Sequence, residues 1–245
     1  MQRGILGIGV CTLDVLTKVE TLPSNESVEE AESAIFMGGG PVPTALAAAT
    51  RLGSSTAMID VLGDDWKSTL IIEELRDHGI QCENIKIESG ASASLASVLV
   101  RSSDGARAIR FVRSTTKAID PQSLEDTLIK NHKIIHCNGR HLEACIKAGE
   151  IADALGTGTV LSFDGGAGRY RESLLPLMKR IDIAIVALDF ALKATSEKKL
   201  TGLTWKKLNQ LFPKAHIIGI TDGQRGSWIQ HEDQRPFHQP ALLAE

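Results

Sequence analysis

A chain of 245 residues with 42% hydrophobic and 23% charged residues has the composition of a globular protein with a sizeable core. A net charge of −3 and only 4% aromatic residues argue against nucleic acid as a partner. No apolar run nears the ~18 residues of a membrane-spanning helix, and the four cysteines, Cys11, Cys82, Cys137 and Cys145, lack metal or redox spacing; reduced, buried thiols in a cytoplasmic protein are the expectation.

Met1-Gln2-Arg3 leads straight into a strand-like run, so no targeting peptide is expected. Gly4 to Val10 is apolar and bounded by glycine, the pattern of a buried strand. Asp14 to Glu20 and Glu29 to Met37 alternate and carry acids, which predicts two half-exposed strands joined by a turn at Pro23-Ser24-Asn25. Gly38-Gly39-Gly40 then precedes the alanine-rich run Thr44 to Leu52, which stops at Gly53. Proline near the start and glycine past the end mark it as a helix. A strand over Ser55 to Leu62 and an amphipathic helix from Trp66 to His78 follow. Ser94 to Arg101 and Arg107 to Arg113 flank Ser103-Asp104-Gly105, a hairpin signal. Beyond them helices near Pro121 to Lys130, Leu142 to Leu155 and Tyr170 to Lys179 alternate with strands at Lys133 to Cys137, Thr159 to Phe163 and Asp182 to Ala187. Helical stretches at Phe190 to Thr195 and Trp205 to Phe212 lead to strands at Ala215 to Ile220 and Gly226 to His231. Apolar strands separated by helices predict a parallel sheet covered on both faces, with the early alternating strands as a smaller antiparallel flap.

Ligands of such sheets sit at the carboxyl ends of strands, so the loops there hold the candidate chemistry. Gly7-Ile8-Gly9-Val10-Cys11-Thr12 fails as a dinucleotide fingerprint, because Thr12 takes the third glycine position and a strand follows. Asp14 either accepts hydrogen bonds from sugar hydroxyls or caps a turn. Gly38 to Gly40 is either a small-molecule site at a loop-to-helix junction or a flexible turn. Asn138-Gly139-Arg140-His141 either places polar side chains in a cleft or is structural. Asp164-Gly165-Gly166-Ala167-Gly168-Arg169 is either an anion cradle or a tight turn capped by Asp164. Thr221-Asp222-Gly223-Gln224-Arg225-Gly226 reads as a β-turn able to touch a nucleotide.

Taken in order, these stretches resemble the ribokinase-like (PfkB) carbohydrate kinase family from Ile5 to about Pro240. The resemblance rests on Gly7-Ile8-Gly9-Val10 leading to Asp14, the glycine-led helix ending Ala49-Thr50-Arg51-Leu52-Gly53, and Val61-Leu62-Gly63-Asp64-Asp65. It continues through Glu74-Leu75-Arg76-Asp77-His78-Gly79-Ile80, Ser162-Phe163-Asp164, and Ile218-Gly219-Ile220-Thr221-Asp222-Gly223 with Gly226. It implies one α/β domain over 1–245: a three-layer, doubly wound, mostly parallel sheet with a small antiparallel β lid over about 12–37 and 92–115. It also implies γ-phosphoryl transfer from ATP, with Mg²⁺, to a hydroxyl of a sugar or sugar derivative. A nucleoside kinase is an alternative acceptor class. By the same resemblance Asp14, Gly39 and Gly40 contact sugar hydroxyls. Thr44 stands where many members carry a substrate-binding asparagine, Thr221, Gly223 and Gly226 lie at the nucleotide, and the lid supports a homodimer. Asn138 and Arg140 complete the substrate-side candidates, with Arg140 and Arg169 suited to an acidic group.

Two departures stand out. Where many members have Asn-x-x-Glu near the metal, this chain reads Ala187-Leu188-Asp189-Phe190, so Asp189, one residue early, is the remaining carboxylate on the nucleotide side and Mg²⁺ is expected to be held mainly by nucleotide phosphates and water. The family's Gly-Ala-Gly-Asp loop, whose aspartate takes the proton from the attacking hydroxyl, has no match; Gly166-Ala167-Gly168-Arg169 puts arginine at the base position and falls too early in the chain. The 245 residues are therefore expected to be a C-terminally incomplete kinase, inactive alone. A non-catalytic sugar- or nucleotide-binding protein on the same fold is the alternative.

Overall fold

The computed structural model describes residues 4–242 apart from 24, 25, 27 and 233. Ser24 and Asn25 of the turn expected at Pro23-Ser24-Asn25 thus lie outside the described residues, as do the first three residues. The chain forms two compact units, Met1–Ile8 with Ile119–Glu245, and Gly9–Ala118.

The first unit opens with β1 (Gly4–Ile8). The second supplies β2 (Thr12–Val19), β3 (Ser33–Gly39), α1 (Pro41–Arg51), β4 (Thr56–Gly63), α2 (Trp66–Asp77), β5 (Gln81–Glu88), β6 (Ser94–Arg101) and β7 (Arg107–Val112). The chain returns to the first unit with α3 (Asp126–Lys130), β8 (His132–Cys137), α4 (Leu142–Leu155), β9 (Val160–Gly165), α5 (Leu175–Met178) and β10 (Ile183–Ala187). It ends with α6 (Leu188–Thr195), α7 (Gly202–Leu211), β11 (Ile217–Thr221), β12 (Ser227–His231) and β13 (Phe237–Gln239).

In the first unit the strands lie in the order β13-β12-β11-β10-β9-β8-β1. Pairing is parallel from β1 to β11 and antiparallel at β12 and β13. Because β8, β9, β10 and β11 advance in one direction, right-handed crossovers carry α4, α5, α6 and α7 to the same face. Burial follows: Ile135, Leu161, Phe163, Ala184, Val186 and Ile220 are at most 3% exposed. Phe163 packs within 5.8 Å of Phe190 and 6.3 Å of Phe212, centroid to centroid. The alternate residues form the other face, where Ile185 is 36% and Ile229 45% exposed. The helix expected at 170–179 is split into a 3-10 turn, Glu172–Leu174, and a single α turn. Pro176 lacks the N–H that would continue the ladder. Similarly, the helix expected at 121–130 breaks at Leu124, whose ψ of 120° is extended.

In the second unit β4 pairs in parallel with β5 through the α2 crossover. The lid sheet runs β3-β2-β6-β7. Its hairpin ladders β2–β3 and β6–β7 are antiparallel, but β2 and β6 pair in parallel, so the lid is mixed rather than antiparallel. The hairpins are local features; the β2–β6 pairing is made only after the chain has passed through α1, β4, α2 and β5.

Gly63-Asp64-Asp65 proves to be a structural lock. A Cβ at Gly63 would sit 2.1 Å from the Ala91 carbonyl oxygen. Asp64 accepts hydrogen bonds from Ser89 Oγ and Gly90 N, both at 3.0 Å. Asp65 is the N-cap of α2, accepting from Ser68 N at 3.1 Å, and its other oxygen accepts from Ser92 Oγ at 2.8 Å and Ala93 N at 3.2 Å. Burial opposes its ionisation, yet the Lys67 ammonium and the Ser68 and Ser92 hydrogen bonds hold its carboxyl well below the usual range. A group depressed in the folded state stabilises at pH above its unfolded pKa and loses that contribution as pH falls. Asp65→Ala is expected to cost about 1–2 kcal/mol at pH 7. The deficit should shrink as urea midpoints of both proteins are followed below about pH 4; a pH-independent deficit would contradict this account.

Candidate functional site

The site grows from the start of β2. Pairing sets Thr12 opposite Gly39 and Asp14 opposite Met37, and alternation places these four residues on one face of the lid. Asp14 is thus the third residue of β2, not a cap on the strand before it. Thr12 Oγ1 donates to Asp14 Oδ1 at 2.8 Å. A Cβ at Gly39 would lie 2.3 Å from Asp14 Oδ2, so the carboxylate occupies the volume that only glycine leaves empty. Gly40 is needed for a different reason: its φ is +101°, and a Cβ there would lie 2.3 Å from the Val10 carbonyl oxygen.

α1 begins immediately after Gly40 and has no side-chain cap. Thr44 N already bonds Gly40 O at 3.1 Å. Pro41 and Pro43 have no N–H, so the helix start offers only the Gly40 and Val42 amides. A phosphate cradle needs more donors than this. Two amides beside a carboxylate suit hydroxyl groups, which both donate and accept.

Asp60 and Glu74 were not singled out in the sequence, and both brace this corner. Asp60, 1% exposed, accepts from Cys11 N at 2.6 Å and from Val61 N at 2.8 Å. It anchors the backbone entering β2, and burial, with the Asp60 charge, pushes the Cys11 thiol well above its ordinary value. Glu74 on α2 accepts from Gly38 N. Burial raises the half-buried Asp14 carboxyl above its ordinary value, the Thr12 hydrogen bond opposes the shift, and the Glu74 charge adds to it. Thr44 is exposed and lines a cavity of about 520 Å³ together with Thr12, Met37, Gly38, Gly39 and Glu74.

The remaining candidates lie in the first unit, in three loops. After β8, Asn138 Oδ1 accepts from Arg140 N at 3.2 Å, and Arg171 donates to Gly139 O at 2.7 Å. His141, 6% exposed, accepts from Ile119 N at 3.2 Å through Nδ1, a structural role. After β9, Gly166 to Arg169 makes a turn closed by Arg169 N to Gly166 O at 3.2 Å. Asp164 lies within β9, before the turn; its carboxyl is raised by burial, with Arg169 and His136 opposing. After β11, Thr221 is exposed, and Asp222 and Arg225 pair through two hydrogen bonds, at 2.5 and 2.8 Å. Gly226 is required by β13, since a Cβ would meet the Gln239 carbonyl oxygen at 2.0 Å. Gly223 has φ +51° and open space around it.

Asp189 does not fit a protein-held Mg²⁺ site. Its Oδ2 accepts from Gly168 N at 2.7 Å and lies 3.1 Å from Lys193 Nζ. Among the described residues no group of three or more His, Cys, Asp or Glu side chains could hold a metal ion.

The sequence matches the pfkB family carbohydrate kinase over residues 2–242, and the chain belongs to that family. It is 33% identical over 220 residues to a fructokinase of Solanum tuberosum, covering 85% of this chain and 66% of that protein. It is 32% identical over 240 residues to a probable fructokinase-2 of Arabidopsis thaliana, covering 90% of this chain and 70% of that one. A fructokinase-2 of Solanum lycopersicum, 34% identical over 157 residues, is covered over 47% of its length and matched by 60% of this chain. The chain thus spans between about half and 70% of the length of these curated relatives. A crystal structure of a putative ribokinase from Agrobacterium tumefaciens superposes with a TM-score of 0.84 at 22% identity, over 98% of this chain and 77% of that one. The structure of Arabidopsis thaliana ribokinase complexed with ribose and ATP superposes at 0.78 and 18% identity, over 100% of this chain and 80% of that one. The fold is ribokinase-like.

The raised Asp14 carboxyl carries a stability consequence. An acid whose pKa is raised on folding destabilises the native state once pH exceeds its folded pKa, and the penalty is absent below its unfolded value. Asp14→Asn keeps an acceptor for Thr12 and is expected to raise Tm at pH 7.5, by less than about 1 kcal/mol of stability after solvent screening. The gain should fade on acidification toward pH 4; a loss of Tm at pH 7.5 would contradict it.

Proposed function

We propose that this chain is the sugar- and nucleotide-binding portion of an ATP-dependent sugar kinase, with D-fructose as the first acceptor to test. The observation that carries the reading is the Asp14 carboxylate, oriented by Thr12 and seated against Gly39, next in sequence to an α1 start that has no side-chain cap. Family membership supplies the reaction class, and the relatives named as fructokinases supply the acceptor. In this reading Asp14, Gly39, Gly40 and Thr44 bind and orient the sugar. Thr44 offers a single short hydroxyl, where an amide would offer both donor and acceptor further out. Thr221, Gly223 and Gly226 in the first unit take the nucleotide, which brings its own Mg²⁺ because Asp189 is engaged elsewhere. Asn138 is committed to the turn it closes, and Arg140, by its charge, is the residue of that loop suited to an acidic substituent. With all four cysteines reduced and buried, the cytoplasm is the compartment we assign.

Phosphoryl transfer depends on positioning and on stabilising charge as it develops. No residue within 1–245 fills the role of a base in a Gly-Ala-Gly-Asp loop. Gly166 to Arg169 closes on itself, and the next element is the 3-10 turn Glu172–Leu174, so no α-helix starts on this loop to face an anion. We therefore assign the base and anion hole to chain outside these residues. The half-open face of the first-unit sheet, with Ile185 and Ile229 exposed, supports that assignment as a seat for further structure.

The lid supports a homodimer. Register places Met37, Asp14, Ala96 and Phe111 in one cross-strand row and Ile35, Leu16, Val98 and Ile109 in the next, on the same face. Ile35, Ile109 and Phe111 are each about half exposed, which is an apolar surface around a functional carboxylate. A second copy's lid is the occupant we assign.

Two experiments test this reading. Calorimetric titration of the 245-residue chain should show D-fructose binding, while a coupled assay with ATP and Mg²⁺ shows no turnover. Absence of binding to fructose and to a panel of other sugars would overturn the sugar assignment, and turnover would overturn the placement of the base. For the dimer, Phe111→Glu should convert the light-scattering mass from two copies to one without lowering Tm by more than a few degrees; an unchanged mass would refute the lid interface.

A further inference from the structure

Within the lid sheet β3 is an edge strand, because β2 is its only neighbour. The N–H groups of alternate residues on such a strand point away from the sheet and need a partner. At Gly38 that partner is a side chain 36 residues later: Gly38 N donates to Glu74 Oε2. The two groups are packed tightly. A Cβ at Gly38 would lie 3.2 Å from the Glu74 carboxyl carbon, so glycine leaves the space the carboxylate uses.

Glu74 can act as an anchor because α2 itself is held firmly. Asp65 caps its start, and Ile71 and Leu75 are 1% and 6% exposed. A second contact ties α2 to β3, the edge-to-face packing of Phe36 on Trp66 at 6.2 Å. The segment that follows Gly38 has no side chains of its own to fix it. Gly39 pairs with Thr12 in the lid ladder, Gly40 O accepts from Thr44 N, and both must lie where Asp14 and the α1 start require them.

We propose that Glu74 is a positioning residue for the sugar site: by accepting the outward N–H of Gly38 it holds the glycine run in place, so that Gly39 stays against Asp14 and the Gly40 amide stays aimed at the bound hydroxyls. This rests on the sugar-binding reading of Asp14. Glu74 lines the same cavity as Thr44, and its role in this account is exerted through the backbone of β3. Its second oxygen, Oε1, stands 3.8 Å from Nε2 of His78, the residue at the C-cap of α2. The Glu74 charge also adds to the raised proton affinity of Asp14, behind burial.

A pair of substitutions separates position from charge. Glu74→Ala removes the acceptor. Glu74→Gln keeps a carbonyl oxygen at the same reach and removes the charge. Amide hydrogen exchange at Gly38, calorimetric D-fructose affinity and Tm are measured for both and for the unsubstituted chain. In Glu74→Ala, exchange at Gly38 should accelerate by about tenfold or more and the fructose Kd should rise about tenfold, on the order of one lost charge-assisted hydrogen bond. Tm should move by only a few degrees. Glu74→Gln should return both readings to within about threefold of the unsubstituted chain. Unchanged exchange and affinity in Glu74→Ala would overturn the proposal, and so would a Glu74→Gln protein as impaired as Glu74→Ala. If the unsubstituted chain binds no fructose, the sugar reading itself falls, and Gly38 exchange still decides whether Glu74 holds the glycine run.

Discussion

The corner that matters most in this protein depends on one close approach. The Asp14 carboxylate lies where a Gly39 side chain would begin. Everything nearby serves that contact: Thr12 orients the carboxylate, Asp60 fixes the backbone leading to it, and Glu74 secures the glycine run from the other side. The arrangement places a carboxyl with raised proton affinity in a half-buried setting, which disfavours its charged form. Groups held in unfavourable environments are common at binding sites, where recognition and not stability selects them.

The scaffold explains how such a corner is carried. Gly63, Asp64 and Asp65 tie the end of β4 and the start of α2 to the loop before β6 through backbone and side-chain hydrogen bonds. α2 is thereby fixed at one end, and it presents Glu74 two turns later. In the first unit the direction of strand addition puts α4 to α7 on one face. That asymmetry follows from handedness alone, and it leaves the Ile185 and Ile229 face half open.

Much of this was legible from sequence. The glycine run, the strand pair around Asp14, the 94–113 hairpin and the strand–helix alternation after residue 130 all follow from local signals that the fold obeys. What was missed lacks such signals. β5 carries Gln81, Glu83, Lys86 and Glu88 among its eight residues, and its pairing with β4 outweighs its weak apolar pattern. β13 is three exposed residues whose existence depends on β12. The parallel β2–β6 pairing joins segments about 80 residues apart in the register, beyond any local motif. At the site, Asp14 and the glycines could be named from their residue types, and family resemblance raised their priority. Asp60 and Glu74 could not, because a strand aspartate and a helix glutamate look ordinary until their backbone partners are known. Position in the chain is what marks Asp189, and only the structure shows that its carboxylate is engaged by Gly168 and Lys193.

The central claim is that sugar hydroxyls are read by Asp14 and the amides beside Gly39. The most direct measurement is a D-fructose titration of the isotopically labelled chain, followed by amide and side-chain carboxyl resonances in NMR. The account predicts saturable shifts at Gly39, Gly40, Val42 and the Asp14 carboxyl with one common Kd, and no shifts of comparable size at Gly223 or Gly226. Saturable shifts confined to the 221–226 turn, or none at Asp14 while fructose binds elsewhere, would contradict it.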